Sequence, residues 1–119
     1  EDKIPFYTDC TRLAVILKNL FANAIKYQDV NKLSFLRIRI VTSPERAMIA
    51  FEDNGIGIEQ NRLEKIFDMF YRGSNKSMGA GLGLYITKET ATKLGGTIQV
   101  QSKLGEGTTF DVSILNLAG

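Results

Sequence analysis

Asn19, Asn23 and Lys26 stand four and three residues apart, a spacing that puts two amides and a cation on one stripe of a helix. Asparagine is a poor helix former because its side chain competes for backbone hydrogen bonds, so two stacked mid-helix ask for a reason. Neutral amide oxygens suit Mg²⁺ and an ammonium suits phosphate; a merely solvated face is the plainer alternative. Asp53 in EDNGIGI (52–58) ends an alternating stretch on the side shared by Ile49 and Phe51, the side expected to face a core. A carboxylate there is costly unless a donor satisfies it, and the exocyclic amino group of a base is a suitable donor. Gly55 and Gly57, flanking Ile56, let the backbone turn sharply or pass close to something flat.

Further along, GAGLGLYI (79–86) carries Gly79, Gly81 and Gly83 at alternate positions before an apolar run. It is not a Walker loop, since Leu84 and Tyr85 follow the last glycine where Lys and Ser or Thr are needed. Nor is it a Rossmann fingerprint, because the preceding RGSNKSM (72–78) is too polar to be a buried strand. Read with the apolar run, it is a glycine loop opening a helix, whose free N–H groups and dipole attract anions. Arg72 sits in the polar stretch before it, within reach of a phosphate if that stretch closes, or simply at the surface. Thr108 alternates with Phe110, Val112 and Ile114, which turns its hydroxyl inward unless it serves as a turn residue.

The composition narrows the chemistry. The 119 residues suit one domain, and Lys plus Arg exceed Asp plus Glu by two, 15 against 13, which favours neither a nucleic-acid nor a membrane surface. There is no histidine, which removes a Ser-His-Asp triad, a histidine base and the commonest transition-metal ligand together. Cys10 is the single cysteine, so no internal disulfide forms, in keeping with a reduced, cytoplasmic setting. No apolar run approaches the roughly 20 residues of a membrane span, and the charged start EDKIPFYTDC does not read as a signal peptide.

Elements must carry these residues. Residues 3–8 read as a short extended piece at an edge, with Pro5. Asp9 or Thr11 caps a helix over 12–28, in which Leu13, Ile16, Leu17, Leu20 and Ala24 recur at helical spacing. Residues 34–42 alternate, Leu36, Ile38 and Ile40 against Arg37 and Arg39, and a turn at 43–46 returns the chain through Ile49 and Phe51 to Asp53 as an antiparallel hairpin. Residues 54–81 form a long polar loop with a short helix around 59–66, and a loop of this size is usually functional or mobile. A second helix over 84–94 stops at Gly95-Gly96, and a final hairpin joins 97–102 to 108–115.

Taken in order, NLFANAIKY (19–27), DNGIGI (53–58), FDMFYRG (67–73), GAGLGL (79–84) and GEGTTF (105–110) resemble the N, G1, F, G2 and G3 boxes of the ATP-binding domain of bacterial sensor histidine kinases. These domains belong to the gyrase, chaperone, histidine-kinase and MutL (GHKL) superfamily. The resemblance covers nearly the whole chain. It implies one domain over 1–119 with the Bergerat-type fold, an α/β two-layer sandwich with helices on one face of a mixed five-stranded sheet, and an ATP lid over about 58–80.

The resemblance also implies roles. Asn23 matches the Mg²⁺ ligand, with Asn19 one turn earlier on the same side; Lys26 matches a phosphate-contacting lysine and Tyr27 a residue beside the nucleotide. Asp53 matches the acceptor for the adenine amino group, while Gly55, Ile56 and Gly57 match the stretch that adenine and its water approach. Arg72 matches a lid residue near the terminal phosphates, Gly79 and Gly81, Leu82, Gly83 and Leu84 match the loop around them, and Thr108 matches a hydroxyl near the adenine water. Where gyrase-like and chaperone-like ATPases carry a glutamate base this chain has Asn19, which favours the kinase branch. Its Asp9-Cys10-Thr11-Arg12 also lacks a proline common at the start of that helix.

The activity so implied is binding of Mg-ATP and transfer of its γ-phosphate to a histidine on a separate dimerisation domain, with a response regulator as the indirect partner. Lys26 and Arg72 would assist transfer, and no catalytic nucleophile is expected within these residues. No nucleic-acid or direct membrane contact is expected, and the setting is cytoplasmic, alone or as part of a membrane-bound sensor. Two other readings stay open: a small serine kinase of the same fold, and a nucleotide-binding module without phosphotransfer.

Overall fold

The computed structural model describes residues 5–69 and 83–117. Helix α1, Cys10–Lys26, starts two residues earlier than the apolar spacing suggests because Asp9 is the cap. One carboxylate oxygen of Asp9 accepts from the N–H groups of Thr11 at 3.0 Å and Arg12 at 3.2 Å, and the other pairs with the Arg12 guanidinium at 2.9 Å. These hydrogen bonds and the neighbouring cation hold the Asp9 carboxyl below its ordinary pKa. The helix buries Ile16 and Leu20 and leaves Asn19, Asn23 and Lys26 along one flank.

Strands β1, Leu36–Thr42, β2, Arg46–Asp53, β3, Thr97–Lys103, and β4, Gly107–Leu115, form one sheet in the order β1-β2-β4-β3, with every neighbouring pair antiparallel. Ser43 closes the β1–β2 turn, accepting the Arg46 N–H on its hydroxyl at 3.0 Å while its own N–H donates to the Arg46 carbonyl at 2.7 Å. Helix α2, Gly83–Lys93, packs beside α1 and ends where Gly95 takes a φ of 71°. Ile49, Phe51, Ile98, Phe110, Val112 and Ile114 supply the sheet's side of the core, with Ile16, Leu20, Ala91 and Leu94 above them.

The expected mixed, five-stranded sheet is corrected to four antiparallel strands among the described residues. The missing strand is the extended piece at 3–8, of which residues 3 and 4 lie outside the described residues. Pro5 has no N–H to give to a ladder. Tyr7 instead docks on the end of β4, donating to the Asn116 side chain at 3.2 Å and accepting from the Leu117 N–H at 2.9 Å.

Two further expectations shift. Ile38 and Ile40 share the inner face with Phe51 and Ile49, yet are 45% and 62% exposed. Helix α2 lies over β3 and β4, the inner residues of β2 are buried, and edge strand β1 is left largely exposed. The short helix around 59–66 reduces to a single 3₁₀ turn, Gln60–Arg62, followed by turns that carry Ile66 into the core and Phe67 edge-on against Phe110, 6.3 Å between ring centres. Met69 is half exposed.

Candidate nucleotide site

The register across the sheet explains why polar side chains gather at one end of an apolar face. Asp53 pairs with Leu36 on one side and Thr108 on the other, and Thr108 pairs with Ser102. All four point to the side of Phe51, Phe110 and Val100: Asp53, Thr108 and Ser102 each lie two residues from one of these on the same strand, and Leu36 pairs with Asp53. The inner face therefore ends in a row of one aliphatic, one carboxylate and two hydroxyl side chains. Asp53 and Thr108 lie there as expected, and Thr108 is buried.

The Asp53 carboxylate accepts the Gly55 N–H at 2.8 Å, and the Thr108 N–H acts on it from the neighbouring strand. Burial nevertheless wins and pushes the carboxyl above its ordinary pKa, against the pull of both N–H groups. A half-buried carboxylate that accepts one backbone N–H still has acceptor capacity, which is what a base amino group requires.

The loop after β2 is fixed from both sides. The Ile56 N–H donates to the carbonyl of Tyr27, the C-cap of α1, at 3.0 Å, and the Ile56 carbonyl accepts from Gly105 at 2.8 Å. Gly55 is buried, and a methyl group in its place would run into the Tyr27 carbonyl oxygen. Gly57 has a φ of 77°, and a methyl there would meet the Lys103 carbonyl. This loop thus joins the Asn-bearing helix to the sheet end that holds Asp53.

On α1, Asn19 donates to the Gly83 carbonyl at the start of α2 at 3.3 Å, so the amide stripe borders the helix that follows the glycine loop. Thr87 donates to the same carbonyl at 2.7 Å and is fully buried. Asn23 lies half-buried one turn along α1, and the Lys26 ammonium sits 5.3 Å from the centre of the Tyr27 ring. Gly83 and Leu84 open α2 as expected. Arg72, Gly79, Gly81 and Leu82 lie outside the described residues, as do residues 70–80 of the 58–80 lid. Asp53 thus stands with Gly55 and Thr108, the Ile56 N–H ties this loop to Tyr27 at the end of α1, and Asn19 on the same helix bonds to Gly83 at the start of α2.

The donor set bears on Mg²⁺. Among the described residues no group of three or more His, Cys, Asp or Glu side chains can hold an ion. One amide oxygen on Asn23 does not make a resident site, but it fits an ion that arrives already chelated by phosphates and supplies the rest of its shell with water.

Sequence reasoning missed Ser102. Its hydroxyl accepts the Ile58 N–H at 2.8 Å and lies 2.8 Å from Thr108 Oγ1, while its carbonyl takes the Gln60 side-chain amide at 2.7 Å. The signal was present: Ser102 is in phase with Ile98 and Val100, an inward polar residue opposite an inward threonine. Asn54 was also passed over as a turn residue; it bonds the Phe35 N–H and the Leu33 carbonyl and fixes the chain leading into β1.

Comparison with known proteins agrees with this geometry. Residues 8–118 match the family of histidine kinase-, DNA gyrase B- and HSP90-like ATPases. The chain is 40% identical over 114 residues to the aerobic respiration control sensor protein ArcB of Escherichia coli, 90% of this chain but 14% of that protein. It is 35% identical over 112 residues to the sensor protein RprX of Bacteroides fragilis, 91% of this chain and 22% of that one. Against the sensor histidine kinase YxdK of Bacillus subtilis the identity is 31% over 117 residues, 96% and 36% of the two chains. It thus spans between about a seventh and about a third of the length of these relatives.

Among solved structures, the mycobacterial sensor histidine kinase MprB superposes with a TM-score of 0.79 at 26% identity, covering 93% of this chain and 76% of that one. The catalytic domain of histidine kinase ThkA, in a nucleotide-free form, gives 0.77 at 26%, covering 92% and 70%. Among the described residues no helix is long and apolar enough to cross a membrane.

Proposed function

The chain belongs to the histidine kinase-, DNA gyrase B- and HSP90-like ATPase family, and we propose that within it this chain binds Mg-ATP and donates the γ-phosphate to a histidine on a separate dimerisation domain. The observation that carries the reading is the tie between two chemistries: the Asp53–Thr108 pair, suited to a base, is joined to the Asn19–Asn23–Lys26 stripe, suited to phosphate and metal, through the Ile56–Tyr27 hydrogen bond. Its relatives are named as sensor proteins and sensor histidine kinases, which favours the kinase branch of the family.

In this reading Asp53 accepts from the adenine amino group, and Gly55, Ile56 and Gly57 form the floor that the flat ring approaches. Tyr27 lies beside the nucleotide. Asn23 contributes one hard oxygen to the metal bound by the phosphates, which screens their charge when present, with Asn19 on the same side. Lys26 and Arg72 neutralise charge on the phosphates, and the loop from Gly79 through Gly81, Leu82, Gly83 and Leu84 offers N–H groups at a helix start. Positioning and charge neutralisation supply most of the catalysis of phosphoryl transfer. The nucleophile must come from outside these residues, because the sequence holds no histidine.

Incubation with labelled ATP and Mg²⁺ tests this. The chain alone acquires no label; with a dimerisation domain bearing its acceptor histidine in trans, that domain acquires label that is acid-labile and base-stable, slowly because tethering is lost. Acid-stable label on serine or threonine would move the protein to a serine kinase, and ATP binding without any transfer would make it a nucleotide-binding module.

A further inference from the structure

Ser102 Oγ makes three short contacts, and its proton count leaves one way to satisfy them all. It lies 2.8 Å from the Ile58 N, 2.8 Å from the Gly107 carbonyl oxygen and 2.8 Å from Thr108 Oγ1. A serine hydroxyl has one proton and two lone pairs. The Ile58 N–H can only donate, so it takes one lone pair. The Gly107 carbonyl can only accept, so it takes the proton. The Thr108 contact is left with the second lone pair, and Thr108 must be the donor.

Thr108 thereby commits its single proton to Ser102 and keeps only lone pairs for the pocket. Its neighbour in the register, Asp53, is an acceptor when ionised. We propose that Ser102 is a positioning residue for base selection: by taking the Thr108 proton it makes the end of the inner face a surface of acceptors only. Such a surface accepts a ring edge that places an amino group directly against it and opposes one that places a carbonyl oxygen there. The adenine edge is of the first kind and the hypoxanthine edge of the second. This deepens the adenine reading above and rests on it.

Removing the Ser102 hydroxyl returns the proton to Thr108, which can then turn and donate to a carbonyl. The test measures ADP and IDP affinities by calorimetry for the parent and for Ser102→Ala, Ser102→Thr and Asp53→Ala. The ratio of ADP to IDP affinity is expected to fall about three- to tenfold in Ser102→Ala, the range of one neutral hydrogen bond. Ser102→Thr, which keeps the hydroxyl on a residue suited to a strand, is expected to restore the parent's ratio. In a Thr108→Val background, Ser102→Ala is expected to leave the ratio where Thr108→Val alone sets it.

A residue that merely braces the Ile58 and Gly107 backbones would weaken both nucleotides alike. An unchanged ratio in Ser102→Ala, with binding lost in Asp53→Ala, therefore overturns the Ser102 role and spares the adenine pocket. Undiminished ADP binding by Asp53→Ala overturns the pocket itself. Should Ser102→Ala melt below the assay temperature, Ser102→Cys replaces it. Its thiol keeps the volume but is a poor donor and acceptor, so a lower ratio supports the proposal and an unchanged ratio overturns it.

Discussion

The N–H of Ile56 donates to the carbonyl of Tyr27 at 3.0 Å, so the end of α1 and the loop after β2 share one hydrogen bond across the site. It lies beside Gly55, whose Cα faces the same carbonyl oxygen too closely to carry a side chain. Helix, loop and strand are thus held in one frame, and an error at Gly55 reaches both the base pocket and the amide stripe.

Gly55→Ala is therefore expected to weaken ADP binding by tenfold or more, because the clash is with backbone and no rotamer relieves it. Gly57→Ala combines a left-handed φ with a collision at the Lys103 carbonyl, and is expected to cost about 1–3 kcal/mol in a denaturant melt as well as binding. Chemical denaturation and calorimetry on the same preparations check both; parent-like binding by Gly55→Ala would show that the loop can move off α1 freely.

Asp53 gives two pH responses of opposite sign. Its carboxyl is raised by burial above its ordinary 3.8. The stability it contributes is therefore fully present below the unfolded value and is lost as pH rises through the folded value. The gap in unfolding free energy between parent and Asp53→Ala is expected to shrink across that window. Nucleotide affinity runs the other way, since the ionised carboxylate is the better acceptor, and ADP binding by the parent is expected to strengthen over the same pH range. At neutral pH Asp53→Ala is expected to bind about ten- to a hundredfold more weakly, the range of one charge-assisted hydrogen bond. Parallel stability profiles for the two proteins would remove Asp53 as the titrating group.

The parts legible in the sequence are those where period and core face agree. Ile16 and Leu20 place α1, and the alternation through Ile49 and Phe51 turns Asp53 inward. Both are local properties of the chain. What escaped depends on partners distant in sequence. Ser102 becomes meaningful only once β3 pairs with β4 and brings it against Thr108, and the loop at 58–69 trades a helix for turns because Ile58 and Gln60 bond to Ser102. The exposure of Ile38 and Ile40 depends on where the helices lie, which no strand pattern contains. The extended piece at 3–8 was legible, but its place as a fifth strand was carried by resemblance and gave way to Asn116, whose side chain takes the place of a ladder partner for Tyr7.

That asparagine supplies a stability prediction separate from the site. Asn116 is 5% exposed; its oxygen accepts from Tyr7, and its amide donates to the Pro5 and Ser43 carbonyls at 3.0 Å each. Asn116→Ala is expected to destabilise by about 1–3 kcal/mol, since a buried group left without its partner carries a desolvation penalty of that order. Hydrogen exchange is expected to quicken at Tyr7 and Leu117, which face each other there, while the ratio of ADP to IDP affinity stays at the parent's value. A changed ratio would mean that this end of the sheet communicates with the base pocket.

Asn23→Ala separates metal from base. The side chain offers one oxygen to a chelate whose other ligands come from phosphates and water, so its loss should act only where metal and a terminal phosphate are both present. Metal-free ADP is expected to bind the variant almost as it binds the parent, while the gain in ATP affinity on adding Mg²⁺ shrinks. Asn19, one turn away, holds the Gly83 carbonyl at the start of α2, so Asn19→Ala is expected to weaken both nucleotides with and without metal. The pair of profiles thus distinguishes a metal ligand from a residue that positions the neighbouring helix. Equal losses of ADP and ATP in Asn23→Ala, with or without Mg²⁺, would place Asn23 with Asn19 as a packing residue and leave the metal to the nucleotide alone.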